Sequence, residues 1–220
     1  MLLEKSPLFH VLLVEDDEEL NGDLKWLIEK KFPGTAVSSA LYVSTAMEIL
    51  NSADVPVFDI ALLDVRVPLF PGGDPRTETQ IADRLKESGI ASVYMTSYRA
   101  TDDVETFIKD RELQDPPLKV ISKRDLNRFQ DHVFKTIGDW FTDKASGVVH
   151  NELRRVFGTA SIIRDGRSGT ADLMSLQRTI IDYWCYLSEK TRREVRERFE
   201  VVEHDGTVNA LRLFPMGSQS

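Results

Sequence analysis

Residues 60–68 read IALLDVRVP. The four apolar residues Ile60 to Leu63 suit a strand buried on both faces. Asp64 then places a carboxylate where burying a lone charge is costly. Pro68 ends any regular ladder four residues further on. A buried strand that finishes on an acid is expected to deliver that acid to a site where its charge has partners.

Comparable short runs recur on either side. They are His10 to Val14, Ala36-Val37, Ser92 to Met95, and Leu118 to Ile121. The run around TAVSSA is the least apolar and is expected at a sheet edge. Helix-period segments lie between the runs. Leu20, Leu24, Leu27, Ile28 and Phe32 share one face and stop at Pro33-Gly34. Val43, Ala46, Met47 and Leu50 form a second stripe, and Ile81 and Leu85, closed by Gly89, a third. Val104, Phe107 and Ile108 form a fourth; Leu126, Phe129, Val133, Ile137 and Trp140 form a fifth. Five strand–helix alternations predict a doubly wound α/β domain on a five-stranded parallel sheet, flavodoxin-like in class. Its span is placed at residues 1–144.

The rest, 145–220, predicts a smaller, mainly α-helical extension. Ser146-Gly147 is expected to break the fifth helix. Val149, Leu153, Val156, Phe157 and Ala160 make another stripe, and Asp165 to Gly169 a loop. Thr170 is placed as the cap of a helix carrying Leu173, Leu176, Ile180, Trp184 and Leu187. Ser188 restarts it towards Val195 and Phe199. Asp205-Gly206 between short apolar runs signals a terminal β-hairpin, and residues 216–220 are expected to fray.

The chain has 220 residues, 41% of them hydrophobic and 29% charged, with net charge -8. The charge is uneven: residues 1–145 hold 17 basic and 26 acidic side chains, whereas 146–220 hold 11 and 10. The acidic first part repels nucleic acid as a surface, and the second has no dense basic stripe. The single Cys185 excludes an intramolecular disulfide and suits a reducing compartment. With no signal-like start and no run of membrane length, the expected location is cytoplasmic.

Ligands of open parallel sheets bind beyond the carboxyl ends of the strands. There the chain presents Glu15, Asp16 and Asp17, then Asp64, then Thr96 and Ser97, then Ser122 and Lys123. Carboxylates brought together raise one another's pKa, and a divalent cation relieves that repulsion. Mg²⁺ takes oxygen ligands and is held by one or two carboxylates plus phosphate oxygens. A remaining carboxylate can act as a nucleophile towards phosphorus, and an ammonium and a hydroxyl stabilise the phosphoryl charge. Asp17 is assigned to the start of the first helix, where an acid favours the N-terminus.

In the segments VLLVEDD, ALLDVRVP, VYMTS and VISK the chain resembles the receiver (CheY-like) domain of two-component response regulators, over roughly residues 8–144. The resemblance implies that Asp64 is the phosphoacceptor, served by a sensor histidine kinase with Mg²⁺. Asp16 is implied as the direct metal ligand, Glu15 as one acting through water, and the Arg66 backbone carbonyl as a further ligand. Thr96 is implied as the switch hydroxyl and Lys123 as the phosphate-binding amine. Pro68 stands at the family's spacing from Asp64. The resemblance also implies a phosphoprotein that accepts its group stoichiometrically and is not a turnover enzyme.

Departures from the pattern are specific. Leu69 to Pro75 lengthen the loop after Asp64, as a lid, a partner contact or an insertion. Arg124 stands where the family has Pro. Val120 replaces the aromatic switch residue, with Tyr98 the candidate to take over part of that role.

The extension is weakly similar to a histidine-kinase dimerisation and phosphotransfer helix in "VVHNELRR", although Asn151 displaces the match by one residue. His150 is accordingly read first as a helix-surface histidine, with phosphotransfer through it as an alternative. His10, His132 and His204 show no metal-ligand spacing. Residues 191–198 read as a solvated face with local ion pairs, and Tyr183, Trp184 and Tyr186 as core or dimer-interface residues. The expected output is a protein–protein switch, a homodimer through the C-terminal helices with a downstream protein partner and no membrane. The alternatives are a DNA-binding transcriptional regulator, phosphotransfer by His150, and a metal-dependent phosphatase or hydrolase.

Overall fold

The computed structural model describes residues 6–52, 57–77, 80–97, 119–158, 168–205 and 207–214, with positions 106 and 109. It divides into two compact units, Met1–Ile137 and Gly138–Ser220. The expected helix over Val104 to Ile108, and Tyr98, Ala160 and the terminal residues 216–220, lie outside the described residues.

The first unit is a doubly wound α/β domain. Strands β1 (Phe9–Val14), β2 (Thr35–Ala40), β3 (Ile60–Asp64), β6 (Ala91–Thr96) and β7 (Lys119–Ser122) make one parallel sheet in the order β2-β1-β3-β6-β7. This is the flavodoxin-like order, with β2 at the edge as its weak apolarity predicts. Helices α1 (Glu18–Lys31), α2 (Val43–Asn51) and α3 (Gln80–Glu87) belong to this unit.

Every residue of β3 is buried, so both sheet faces are covered. Leu12, Val14, Ala61, Leu63 and Tyr94 join Val43 and Ala46 of α2 and Ile81, Ala82 and Leu85 of α3 in one core. Side chains of the other parity, such as Val11, Leu13 and Leu62, point to the opposite face and are also fully buried.

Two local features shape the rim of the sheet. Asp17 caps α1, its Oδ1 accepting from the Leu20 amide at 3.0 Å, as its position predicts. The stretch after Asp64, expected as a long loop, is instead an ordered antiparallel hairpin of β4 (Arg66–Pro68) and β5 (Pro75–Thr77). Its turn is Phe70-Pro71-Gly72-Gly73. The Gly73 amide donates to the Phe70 carbonyl at 3.0 Å, and Gly72 has φ 77°. Proline followed by a positive-φ glycine is the signature of a type II turn.

The fifth helix is longer than expected. Helix α4 runs from Leu126 to Gly158 without a break at Ser146-Gly147, and the division between the units falls within it. Ala145 and Val149, flanking that dipeptide, are fully buried, and the Ser146 hydroxyl accepts from the Ser188 amide at 3.0 Å. Packing on both sides outweighs the roughly 1 kcal/mol that a helical glycine costs.

The second unit continues with α5 (Ser168–Tyr183), a 3₁₀ turn over Trp184–Tyr186, α6 (Glu189–Arg196), and the hairpin of β8 (Phe199–His204) and β9 (Thr207–Leu213). Helix α5 begins two residues ahead of Thr170. Ser188 caps α6, and the terminal hairpin is the expected one. Leu153, Leu176, Ile180, Trp184, Val195 and Phe199 are buried.

One buried polar residue went unnoticed in the sequence. Asn21 lies on the α1 stripe with Leu24 and Ile28, and its Nδ2 donates to the Glu15 carbonyl at 3.0 Å and the Ala40 carbonyl at 3.1 Å. It ties the ends of β1 and β2 together. Asn21→Ala removes both bonds, the Ala40 carbonyl keeping the Glu15 amide as a donor, and is expected to cost about 1–2 kcal/mol, read from the urea unfolding midpoint.

Candidate functional site

The ladders of the sheet set the site's backbone. The Glu15 amide donates to the Ala40 carbonyl at 3.1 Å, one residue beyond the β1–β2 ladder. Asp64 is the last residue of β3, paired with Met95, and the next amide, Val65, donates to the Met95 carbonyl at 3.0 Å. Thr96 ends β6 opposite Ser122, and the Lys123 amide donates to the Thr96 carbonyl at 2.9 Å. Each functional residue therefore sits at or just past a strand tip held by its neighbour.

The side chains converge. Lys123 Nζ lies 2.8 and 2.6 Å from the two oxygens of Glu15 and 2.5 Å from Asp64 Oδ2. The other Asp64 oxygen accepts from the Arg66 amide at 3.2 Å. Oxygens of Glu15, Asp16 and Asp64 all lie within 4.8 Å of one another. Glu15 is 1% and Asp64 8% exposed. These residues open into a pocket of about 700 Å³, lined also by Asp17, Leu20, Arg66, Pro75, Ser97 and Arg124.

Electrostatics follows from this packing. Burial pushes the Glu15 carboxyl up to about 7, Asp64 adds to the rise, and Lys123 opposes it. Burial likewise raises the Asp64 carboxyl against the pull of Lys123. The Lys123 ammonium is held above its ordinary value because both carboxylates outweigh its own desolvation. Three carboxylates with one ammonium leave a surplus of negative charge.

That surplus is what a small divalent cation relieves. The donors are all oxygen, they come from three carboxylates, and they line an open pocket, which suits Mg²⁺ with its retained waters. Glu15, Asp16 and Asp64 are the residues that would hold it.

Of the residues singled out in the sequence, Glu15, Asp16, Asp64 and Lys123 come together, and Arg66 lines the same pocket. Thr96 sits at its expected strand end but is completely buried, and the residue lining the pocket at this tip is Ser97, one past β6. Arg124, read in the sequence only as a departure, also lines it. His150 lies elsewhere, on α4. Its Nδ1 is 3.1 Å from Glu194 Oε2 and its side chain is 39% exposed.

Three of the four arginines of residues 191–198 are used within the second unit. The Arg192 and Arg196 guanidiniums lie 5.6 and 5.3 Å from the Trp184 ring centre. Arg198 donates to the Glu194 carbonyl at 2.8 Å.

No protein-family model matches the chain, and no curated protein matches it. Solved structures similar to it include the receiver domain of a Francisella response regulator (16% identity, 60% of this chain and 94% of that chain, TM-score 0.41). A response regulator receiver protein from Sinorhizobium medicae is similar at 18% identity (60% and 93%, TM-score 0.46). A CheY-like receiver domain protein from Methanospirillum hungatei is similar at 17% identity (60% and 96%, TM-score 0.42). Among the described residues, no helix is long and apolar enough to cross a membrane.

The raised carboxyls fix the sign of a pH effect. Between pH 4.5, the unfolded value, and about 7, the folded protein binds more protons at Glu15 than the unfolded chain does. Metal-free stability therefore falls as pH rises through that window, by up to about 3 kcal/mol. Chemical unfolding without divalent ions is expected to show this slope, and Glu15→Gln to flatten it. Mg²⁺ is expected to restore stability more at pH 8 than at pH 6, because it competes with protons for the same oxygens.

Proposed function

We propose that the chain is a phosphorylation-controlled switch of the receiver type, a response regulator of a two-component system, with Asp64 as its phosphoacceptor. The observation that carries this reading is the Lys123 ammonium bonded at once to Glu15 and Asp64 beside a third carboxylate. A lone structural ion pair needs one acid, not three.

The chemistry assigns each residue a task. The Asp64 Oδ atoms supply the nucleophile. One attacks the phosphorus of a phosphohistidine on a sensor kinase; the new O–P bond forms as the N–P bond breaks, and the imidazole leaves with a proton from solvent. Lys123 is placed to follow the charge from carboxylate to phosphoryl oxygens, since its Nζ already touches Asp64. The Arg66 amide holds one Asp64 oxygen, which orients the other. Bound Mg²⁺ would supply further charge stabilisation to the phosphoryl oxygens. Thr96 supplies the hydroxyl that responds to the new charge from the end of β6. Nothing turns over in this scheme. The chain is an acceptor, and its product is its own altered surface.

The output is assigned to the second unit, acting by protein–protein contact or dimerisation. Helix α4 carries residues of both units in one continuous element, which gives the signal a covalent route. A duplex-binding output is disfavoured, because Arg192, Arg196 and Arg198 are already engaged by Trp184 and Glu194. A second reading, phosphotransfer through His150, has one contact in its favour. A carboxylate at Nδ1 orients the ring and leaves Nε2 as the reactive nitrogen. Acid-labile, base-stable phosphate on His150 would establish it.

The main reading is tested with acetyl phosphate and Mg²⁺ on the full chain. Intact mass is expected to show a gain of one phosphoryl group in the wild type and none in Asp64→Asn or in wild type stripped of divalent ions. Lys123→Met is expected to retain Mg²⁺ binding and to be phosphorylated at least about tenfold more slowly. Phosphorylation that persists in Asp64→Asn overturns the assignment.

A further inference from the structure

Charge divides the rim of the pocket along the sheet order. Glu15, Asp16 and Asp17 come from the end of β1 and Asp64 from the end of β3, whereas Lys123 and Arg124 come from the end of β7. Of the cations in the pocket wall, Lys123 is bonded to Glu15 and Asp64. The Arg66 guanidinium is committed too, donating through Nη2 to the Pro75 carbonyl at 3.1 Å. Arg124 differs. Its side chain is exposed, and among the described residues its guanidinium has no hydrogen bond or ion pair. Only its amide is held, donating to Ser122 Oγ at 3.4 Å. A proline, which the receiver pattern has at this position, carries no charge. The uncommitted guanidinium is this chain's own addition to the rim.

In-line attack decides where such a group can act. The attacking and leaving atoms lie on opposite sides of phosphorus. Asp64 is almost sealed, at 8% exposure, so the leaving group of a donor faces the open side of the pocket, where Arg124 is exposed. Two classes of leaving group behave differently there. A phosphohistidine releases an imidazole, which takes up a proton and departs neutral. An acyl phosphate releases a carboxylate, which needs no proton but brings a negative charge towards a wall that already holds four acids. A planar guanidinium with its forked donors matches a carboxylate.

We propose that Arg124 is a leaving-group cation that fits the site for acyl phosphates. As the Asp64 Oδ–P bond forms and the acyl O–P bond breaks, the electron pair goes to the departing carboxylate, and Arg124 receives that charge. The inference rests on Asp64 being the phosphoacceptor. It gives the site a second class of donor beside a kinase phosphohistidine, and it names the residue that selects that class.

The test compares acetyl phosphate with N-phosphoimidazole, whose leaving group is the ring of a phosphohistidine. Second-order phosphorylation rates are measured on the full chain at saturating Mg²⁺ in about 1 M salt, where the Debye length is about 3 Å and long-range steering of anions is screened. Arg124→Ala is expected to slow the reaction with acetyl phosphate about fivefold and that with N-phosphoimidazole by less than about 1.5-fold. Arg124→Lys is expected to recover part of the loss, because an ammonium keeps the charge without the fork. The side chain is exposed, so both variants are expected to keep the wild-type unfolding midpoint.

An Arg124→Ala variant that reacts with acetyl phosphate at the wild-type rate overturns the inference and leaves the acceptor role of Asp64 intact. Equal losses with both donors also overturn it, in favour of an altered pocket or a general attraction of phosphate. A wild-type chain that takes no phosphoryl group at Asp64 from either donor defeats the acceptor reading, and this inference with it.

Discussion

One ammonium group between two buried acids organises the functional end of the first unit. Lys123 Nζ meets Glu15 and Asp64 from just past the end of β7, the edge strand separated from β3 only by β6. Without it, two carboxylates almost sealed from solvent would face each other and a third, Asp16, with no compensating charge. Burying an ion is costly, and removing one partner of a buried pair costs more than the pair ever contributed. The cluster is therefore a poor way to stabilise a fold and a good way to keep reactive groups poised. The raised carboxyls of Glu15 and Asp64 state the same tension in terms of protons. The pair holds the site together while leaving it short of positive charge.

The scaffold exists to hold that arrangement still. Parallel strands of matched register bring Glu15, Asp64, Thr96 and Lys123 to the same rim, each at or next to a ladder hydrogen bond with the adjacent strand. Asn21 closes the gap between β1 and β2 immediately beneath Glu15. Cores on both faces of β3 fix the height of Asp64. A side chain on a rigid strand tip moves less than one on a loop, which is what the proposed phosphoryl transfer would require.

Much of this was legible in the sequence because the strongest signals are local. Short apolar runs each ending in a polar group located the strands and, with the doubly wound rule, placed the acids and the lysine on one rim. Less of the surrounding detail could be read. The β4–β5 hairpin looked like a loop because three-residue strands carry almost no periodicity. Only the Phe70-Pro71-Gly72-Gly73 turn signals it, and that turn falls inside the stretch expected as a long loop. Asn21 was passed over because a single polar residue on an apolar stripe gives no sign of which carbonyls it will meet. Helix α4 ran through Ser146-Gly147 because burial of Ala145 and Val149 overrode a local propensity. The engagement of Arg192, Arg196 and Arg198 with Trp184 and Glu194 depends on tertiary approach, which composition does not encode.

The central claim is that the strand tips form one phosphoryl-accepting site with Asp64 at its centre. Diffraction from crystals of the full chain grown with Mg²⁺ and beryllofluoride, a phosphoryl mimic, tests it most directly. The account predicts the fluoroberyllate bonded to an Asp64 oxygen, Lys123 turned from the carboxylate to a fluorine, and the metal ion against Asp16. A fluoroberyllate that binds elsewhere, or a metal ion seated away from all three acids, would contradict it.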